Sequence, residues 1–184
     1  MSPASITVQI CSVAELGDEA RALQQEDQPP QEYLNLLVEK GHFQDAVRFL
    51  AYALPKREAV WWAWVCARRA AGAEPAPNIK ASLDATESWV AQPTDENRRA
   101  AMSAAEAAEA GTPAGCAGMA AFFSGGSMAP PGAQAVPPGV YLTSKAVAVA
   151  VILAAVAGEP EETPANFRTS VEQGVDVVKR IQLW

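Results

Sequence analysis

The chain has 184 residues, of which 49% are hydrophobic and 19% are charged, and its formal net charge is −7. This length allows one domain with a real core, and the composition is that of a globular protein, not a disordered one. Nucleic acids and anionic membranes bind cationic surfaces, and the few basic residues here are scattered and outnumbered. We therefore expect neither a nucleic acid nor a membrane as partner.

The cysteines and the apolar segments indicate the compartment. Cys11, Cys66 and Cys116 are widely separated and form no C-x-x-C pair, so we expect reduced thiols and no zinc or redox motif. The N-terminal segment lacks the basic and apolar regions of a signal peptide. The longest apolar run, residues 146–157, is shorter than the roughly 20 residues that a bilayer span needs. These features predict a cytoplasmic protein.

Helix signals begin near the N-terminus. Ser12 followed by Glu15 matches a capping box, which predicts a first helix starting at Ser12 and running to about Leu23. Pro30 predicts the start of a second helix, because proline is tolerated at the first helical position. Gly41 predicts the end of that helix, as a glycine after the last turn usually does.

The next two helices adjoin each other at a proline. Residues 43–54 carry the clearest amphipathic pattern of the chain and predict the third helix. Pro55 ends this helix and also suits the first position of the fourth. The fourth helix contains Trp61, Trp62 and Trp64 and is predicted to end near Gly72.

The remaining helices follow from the same signals. Apolar spacing over residues 79–90 predicts a fifth helix, and Thr94 caps a sixth that ends at Gly111. Threonine followed by proline at 112–113 and again at 163–164 predicts two more helix starts. The sixth helix has few large side chains, so we expect it to pack closely or to lie exposed.

A segment rich in glycine and proline divides the chain. Residues 124–140 are predicted to be a long, flexible loop. Beyond it, residues 143–157 and 164–182 predict two helices. The alternation "VAVAVI" also fits a strand, but the length of the apolar run favours a helix, and such a helix is usually central to the core.

These elements together predict an all-α fold of about nine helices, arranged as an irregular solenoid or an orthogonal helical bundle. We expect a single domain over residues 1–184. In it, the loop at 124–140 separates a main helical part, residues 12–123, from a C-terminal helix pair, residues 141–184.

No pattern in the sequence predicts a reaction. His42 is the only histidine, and no second histidine can join it as a metal ligand. The glycine-rich "SGGSMAPPG" lacks the spacing of a phosphate-binding loop. We therefore expect no catalytic residue, no metal and no cofactor. An enzyme with an unrecognised site, near His42, Cys66 or Cys116, remains an alternative.

The fourth helix carries the candidate binding residues. Arg57, Trp61, Trp64 and Arg68 fall on one side of it, and the arginines can stack on the tryptophans as cation–π pairs. Trp and Arg dominate interface energies, so this face is a candidate docking surface. The competing interpretation is that the face packs between helices and that the arginine stems extend to solvent. The opposite side is predicted to be core; it consists of Ala59, Trp62, Ala63, Cys66 and Ala70.

Three segments carry a resemblance to a known family: "ALPKREAVWWAWVCAR" at 53–68, "DENRRAAM" through "SGGSMAPPG" at 95–132, and "LTSKAVAVAVILAAVAGEPE" at 142–161. With them the chain resembles a family of uncharacterised bacterial helical proteins, from about residue 30 onward. The family has no assigned activity and offers no catalytic residues to transfer. Its members look to be encoded near type VI secretion components.

The resemblance implies an accessory role, such as an adaptor or chaperone for a type VI secretion effector or spike component. We therefore expect a non-enzymatic cytoplasmic protein that binds another protein. An immunity protein that blocks a toxin is a further alternative, because an acidic surface would attract a basic toxin electrostatically.

Overall fold

The computed structural model describes residues 3–184, with side chains from Ile6 onward, and this part of the chain is all-α. It contains no strand and is 69% helical, which confirms the predicted fold class. Nine of its ten α-helices have seven or more residues. The helices are α1 (Pro3–Val13), α2 (Asp18–Ala22), α3 (Pro30–Glu39), α4 (Phe43–Ala53), α5 (Lys56–Ala70), α6 (Pro77–Ala91), α7 (Asp95–Ala108), α8 (Pro113–Phe122), α9 (Leu142–Ala155) and α10 (Thr163–Ile181), and a 3₁₀ turn (Pro160–Glu162) precedes α10.

The predicted capping box near the N-terminus is wrong. Ser12 lies inside α1, where its Oγ donates to the Gln9 carbonyl oxygen at 2.7 Å instead of capping a new helix. Glu15 lies beyond the end of α1 with φ 52°, so no helix passes through it. A serine hydroxyl can bond to a carbonyl of its own helix, and that bond replaced the predicted cap. The next helix, α2, begins directly after Gly17. The backbone N–H of Gly17 donates to Asp45 Oδ1 at 2.9 Å.

The starts and ends of α3, α4 and α5 agree with the sequence to within two residues. Pro30 is the first residue of α3, and Gly41, after its end, takes φ 81°, a conformation that glycine adopts without steric cost. Pro55 lies one residue before α5 instead of at its first position.

Two of the predicted threonine caps are confirmed. Thr94 Oγ1 accepts from the Asn97 N–H at 3.2 Å, and Thr112 Oγ1 accepts from the Gly115 N–H at 3.0 Å. These bonds satisfy backbone donors that a helix start otherwise leaves free.

Two predicted helix boundaries are wrong. Helix α7 ends at Ala108, before Gly111, because Glu109 takes φ 69° and breaks the helical path. Thr163 is already helical and caps nothing, because the 3₁₀ turn of residues 160–162 leads directly into α10.

Helix α9 lies at the centre of the bundle. It packs against α4, α5, α8 and α10, and Val147, Ala150 and Val151 are fully buried. The helical reading of "VAVAVI" is therefore confirmed. A solenoid brings together only neighbouring repeats, whereas α9 returns to helices far back in the chain, so the fold is a bundle.

Small residues let α7 and α8 approach closely, which is one of the two outcomes expected for α7 from its composition. A Cβ placed on Gly118 of α8 would lie 2.9 Å from the Ala101 carbonyl oxygen and 2.9 Å from Ala105 Cβ of α7. The apolar core is one cluster that draws residues from both sides of the 124–140 segment. Over the range described here, no helix combines the length and the apolarity that a membrane crossing requires.

Candidate protein-binding surface

The inner face of α5 is fixed in the core. Trp62 is fully buried, and its Nε1 donates to the Ser170 carbonyl oxygen of α10 at 2.8 Å. Gly174 of α10 packs directly on this ring, since a Cβ there would lie 3.0 Å from Trp62 Cε2 and 2.9 Å from Leu50 Cδ1. The predicted core face is confirmed, with Ala59, Ala63 and Cys66 also buried and Ala70 half-buried.

The two arginines of the candidate face donate hydrogen bonds to backbone carbonyl oxygens at the ends of helices. Arg57 Nε donates to the Val90 carbonyl oxygen at 2.7 Å, and its Nη2 to that of Ala91 at 3.3 Å, both in the last turn of α6. Arg68 Nη1 donates to the Gly72 carbonyl oxygen at 2.6 Å, just beyond the end of α5. A cation at the C-terminal end of a helix is favoured by unpaired carbonyls and by the helix dipole.

The two tryptophans of this face differ in their surroundings. Trp64 is half-buried against α6, and its Nε1 donates to the Leu83 carbonyl oxygen at 3.0 Å. Trp61 is half-buried under the guanidinium of Arg180, which lies 4.8 Å from the ring centroid. The cation–π partner of Trp61 is therefore an α10 arginine, and the predicted pairing with Arg57 is wrong. The predicted pairing of Arg68 with Trp64 is wrong as well, because Arg68 is turned to Gly72.

Trp61 lies between two shallow cavities on the outside of α5. One, of ≈ 240 Å³, lies between α5, the end of α6 and the end of α10. The other, of ≈ 230 Å³, lies between α5 and α10. We call the first, with its apolar floor and its two guanidinium groups, the Trp61 groove; it is formed by Arg57, Glu58, Trp61, Val90, Val177, Arg180 and Ile181.

The structure brings together half of the predicted binding residues. Arg57 and Trp61 line the Trp61 groove, whereas Trp64 and Arg68 lie outside it. Sequence reasoning missed Arg180, the residue that covers Trp61. No local signal could have found it, because α10 meets α5 only through tertiary packing.

The residues near which a catalytic site was considered are His42, Cys66 and Cys116. Burial raises the pKa of Cys66 to about 11 and also raises the pKa of Cys116. His42 directly precedes α4, and its Nδ1 lies 4.0 Å from Asp45 Oδ2. In the described part of the chain, no three His, Cys, Asp or Glu side chains cluster closely enough to hold a metal ion.

Residues 124–140 form a loop, as predicted, and hydrogen bonds join this loop to α7. The buried Arg98 donates to the Phe122 and Ser127 carbonyl oxygens at 2.8 and 2.9 Å. Arg99 donates to the carbonyl oxygens of Ser127, at 3.2 Å, and Ala129, at 3.1 Å. Ser127 Oγ in turn accepts from the Val136 N–H at 3.0 Å. The "DENRR" and "SGGSMAPPG" segments of the sequence thus form one hydrogen-bonded unit.

The carboxylate of Asp95 holds both arginines in place. Its Oδ1 accepts from Arg98 Nε at 2.9 Å, and its Oδ2 accepts from Arg99 Nε at 2.8 Å. The hydrogen bonds from Arg99 and Arg98 lower the pKa of Asp95 below its ordinary value.

A further cavity, of ≈ 470 Å³, lies on another side of the molecule between α1, the end of α4, Tyr141 and the segment after α10. The Tyr52 hydroxyl and the Trp184 Nε1 are both withheld from water, and neither has a hydrogen-bond partner among the residues that the structure describes. A buried polar group without a partner costs about 1–3 kcal/mol.

Helix α9 also presents an apolar strip to solvent, which its expected position at the centre of the core did not predict. Tyr141, just before the helix, is 41% exposed, Val149 is 46% exposed, and Val156, just after the helix, is 44% exposed.

The fold and this surface define the chain as a helical-bundle protein with a half-buried tryptophan in a groove between three packed helices, two of which supply an arginine. The chain belongs to a family of unknown function, DUF6931, which matches residues 33–178. All three segments that carried the resemblance lie inside this match, so membership of an uncharacterised family is confirmed. No curated protein and no solved structure matches the chain.

Proposed function

We propose that this chain is a non-enzymatic protein-binding accessory factor that holds its partner in the Trp61 groove. The observation that carries the proposal is the half-buried Trp61 ring, stacked under Arg180 and flanked by Arg57. Trp and Arg are the residue types that most often dominate the binding energy of protein interfaces, especially in small apolar pockets.

The groove is already organised for binding. The two hydrogen bonds of Arg57 to the end of α6 fix one wall, so little side-chain entropy remains to be lost on association. Arg180 is held only by its stacking on Trp61, and no acceptor pairs with it among the described side chains. Its N–H groups can therefore donate hydrogen bonds to a carboxylate of the partner while the stacking persists. The groove thus suits a partner that offers an apolar side chain next to an acidic one.

The thiols support the non-enzymatic part of the proposal. Since burial raises the pKa of Cys66 and of Cys116, both groups are protonated at neutral pH, and a neutral thiol is a poor nucleophile. Cys66 is further enclosed by Gln173, whose Oε1 lies 3.4 Å from its Sγ.

We further propose that the partner is a type VI secretion effector or a spike or adaptor component, and that this chain acts on it in the cytoplasm as adaptor or chaperone. The support for this part is the resemblance to proteins that look to be encoded near such components.

The test compares two adjacent charge reversals on α10. Arg180→Glu places a carboxylate in the groove, whereas Lys179→Glu makes the same change of charge on a side chain that is 70% exposed. Tagged wild type and both variants are used to capture partners from the native host, and the affinity of each captured protein is then measured with purified components. We expect Arg180→Glu to weaken binding at least ten-fold and Lys179→Glu to leave it nearly unchanged.

The outcome also separates the alternatives. Equal binding by the two variants would show that the groove is not the docking surface. Capture of a toxin that the chain inactivates, with an affinity that falls steeply with salt, would favour the immunity protein.

A further inference from the structure

We propose that the Trp61 groove is the middle part of a longer furrow along the outside of α5, and that this furrow binds an extended acidic segment of the partner protein. The inference rests on the function proposed above and gives the partner a definite chemistry. The bound segment places an apolar side chain beside Trp61 and carboxylates over the first turn of α5.

Three shallow cavities follow one another along α5 and form the furrow. The cavity of ≈ 230 Å³ between α5 and α10 reaches Val65, and it shares the Trp61 and Arg180 walls with the Trp61 groove. A third cavity, of ≈ 360 Å³, lies between the start of α5, the end of α6, the start of α7 and residues 124–126. Arg57 is the wall that this third cavity shares with the Trp61 groove.

The length of the furrow suits a short extended segment. Residues 56–65 of α5 cover roughly 14 Å, because a helix rises about 1.5 Å per residue. An extended chain advances about 3.3 Å per residue, so about four of its residues span the furrow. Gly125 lines the far end, where an added Cβ would meet nothing within 4 Å. The furrow is therefore open at this end, and a longer segment can continue past it.

The positive charge of the lining rises along the furrow. One cation and one acid line the cavity between α5 and α10. Two cations and one acid line the Trp61 groove, and three cations and one acid line the third cavity. The carboxylates of a bound segment are therefore favoured toward the start of α5, where the field is most positive.

The two cations at the start of α5 have hydrogen-bonding capacity left for a partner. Lys56 Nζ donates to the Ser124 carbonyl oxygen at 3.0 Å, although an ammonium group carries further donors. Arg57 uses only part of its guanidinium group on the end of α6. Among the described side chains, no carboxylate lies within 4.0 Å of either charge, whereas Arg98 of the same cavity is paired with Asp95. Carboxylates of the partner would pair with both cations.

The charge of the whole chain favours a short peptide segment over a long polyanion. The formal net charge is −7, so a nucleic acid or an anionic bilayer would be repelled wherever it extended beyond the furrow. A peptide segment needs cations only where it lies. Its apolar side chain can pack on Trp61, Val177 and Ile181 in the Trp61 groove.

The experiment measures the binding of fluorescein-labelled peptides to the full chain by fluorescence anisotropy. In one peptide a leucine is followed by three aspartates, and in its counterpart by three asparagines. Both are also made in the reverse order, because the furrow does not fix the direction of the peptide chain. We expect saturable binding of one aspartate peptide, about ten-fold tighter than that of its asparagine counterpart.

Lys56→Gln tests the far end of the furrow. The amide of glutamine can still donate to the Ser124 carbonyl oxygen, but it carries no charge. The substitution should weaken binding of the aspartate peptide about three-fold and leave the asparagine peptide unaffected. Lys40→Gln is the matched control, because Lys40 is also exposed but lies just beyond the end of α3, outside the furrow.

The variants separate failure of this inference from failure of the proposed function. Equal effects of Lys56→Gln and Lys40→Gln, together with weaker binding by Arg180→Glu, would overturn the extended acidic segment and leave the Trp61 groove as the docking surface. No saturable binding of either aspartate peptide would also overturn the acidic segment. Unchanged binding by Arg180→Glu would overturn the groove itself, and the furrow with it.

Discussion

The two faces of α5 carry adjacent tryptophans with opposite surroundings. Trp62 is fully buried, bonded to Ser170 and pressed against Gly174, whereas Trp61 is half-buried and is held from outside by Arg180. Both tryptophans face α10, yet one is enclosed by it and the other lies at its edge. The difference shows that the position of α10, more than the residue type, decides which tryptophan is enclosed in the core and which stays partly exposed.

The largest effect we predict is on the inner face. Trp62→Ala should lower the free energy of unfolding by about 3–5 kcal/mol, because it leaves a large cavity and removes the hydrogen bond to the Ser170 carbonyl oxygen. Trp61→Ala should cost only about 1–2 kcal/mol, since it loses partial burial and one cation–π contact. Urea denaturation of both variants measures the difference.

In the partner-binding assay, Trp61→Ala should be the more strongly affected of the two variants. Trp61→Ala should lose the partner although it is well folded. Similar losses of stability in the two variants would contradict the distinction between the two faces.

The sequence predicts which tryptophan of α5 lies in the core, but it does not predict which residues contact the outer face. Helical spacing alone places Trp62 with Ala59, Ala63 and Cys66 on a core face, because that periodicity is local. The partners of the outer face are not local: Arg57 turns to the carbonyls of α6, and Trp61 meets Arg180 of α10. Tertiary packing decides which helices contact each other, and the amphipathic pattern of a single helix does not contain this information.

The same limit explains the errors at helix boundaries. Thr94 and Thr112 cap as predicted, because a cap needs only the next few backbone N–H groups. Ser12 has the same local signal, yet it lies in the last turn of α1, and its hydroxyl bonds back to Gln9. The choice between these two uses of a hydroxyl depends on where the preceding helix ends, and that in turn depends on packing against α3 and α4.

The inner face should also respond to alkaline pH through Cys66. Burial raises the pKa of this thiol from 9.0 to about 11, so between these values the folded chain holds a proton that the unfolded chain has released. Its contribution to stability is complete below pH 9 and is lost as the pH rises toward 11, by about 2–3 kcal/mol in total.

Denaturation of the wild type and of Cys66→Ala at pH 8, 9, 10 and 11 measures this contribution. The variant should lose less stability over the range, because the buried tyrosines titrate in both proteins and their contribution cancels. Parallel curves for the two proteins would show that the Cys66 thiol is solvated in the folded state.

The smallest effect we predict comes from a single methyl group at Gly174. Within a helix, alanine is favoured over glycine by about 1 kcal/mol. At Gly174, however, the added Cβ would lie 2.9 Å from Leu50 Cδ1, and such overpacking costs about 1–3 kcal/mol. Gly174→Ala should therefore destabilise the wild type by about 1 kcal/mol. In a Leu50→Val background, which removes the crowded methyl, the same change should cost less, because only the close contact with the Trp62 ring remains. A double-mutant cycle by urea denaturation measures the coupling, and an unchanged cost of Gly174→Ala in both backgrounds would show that Leu50 does not crowd the added methyl.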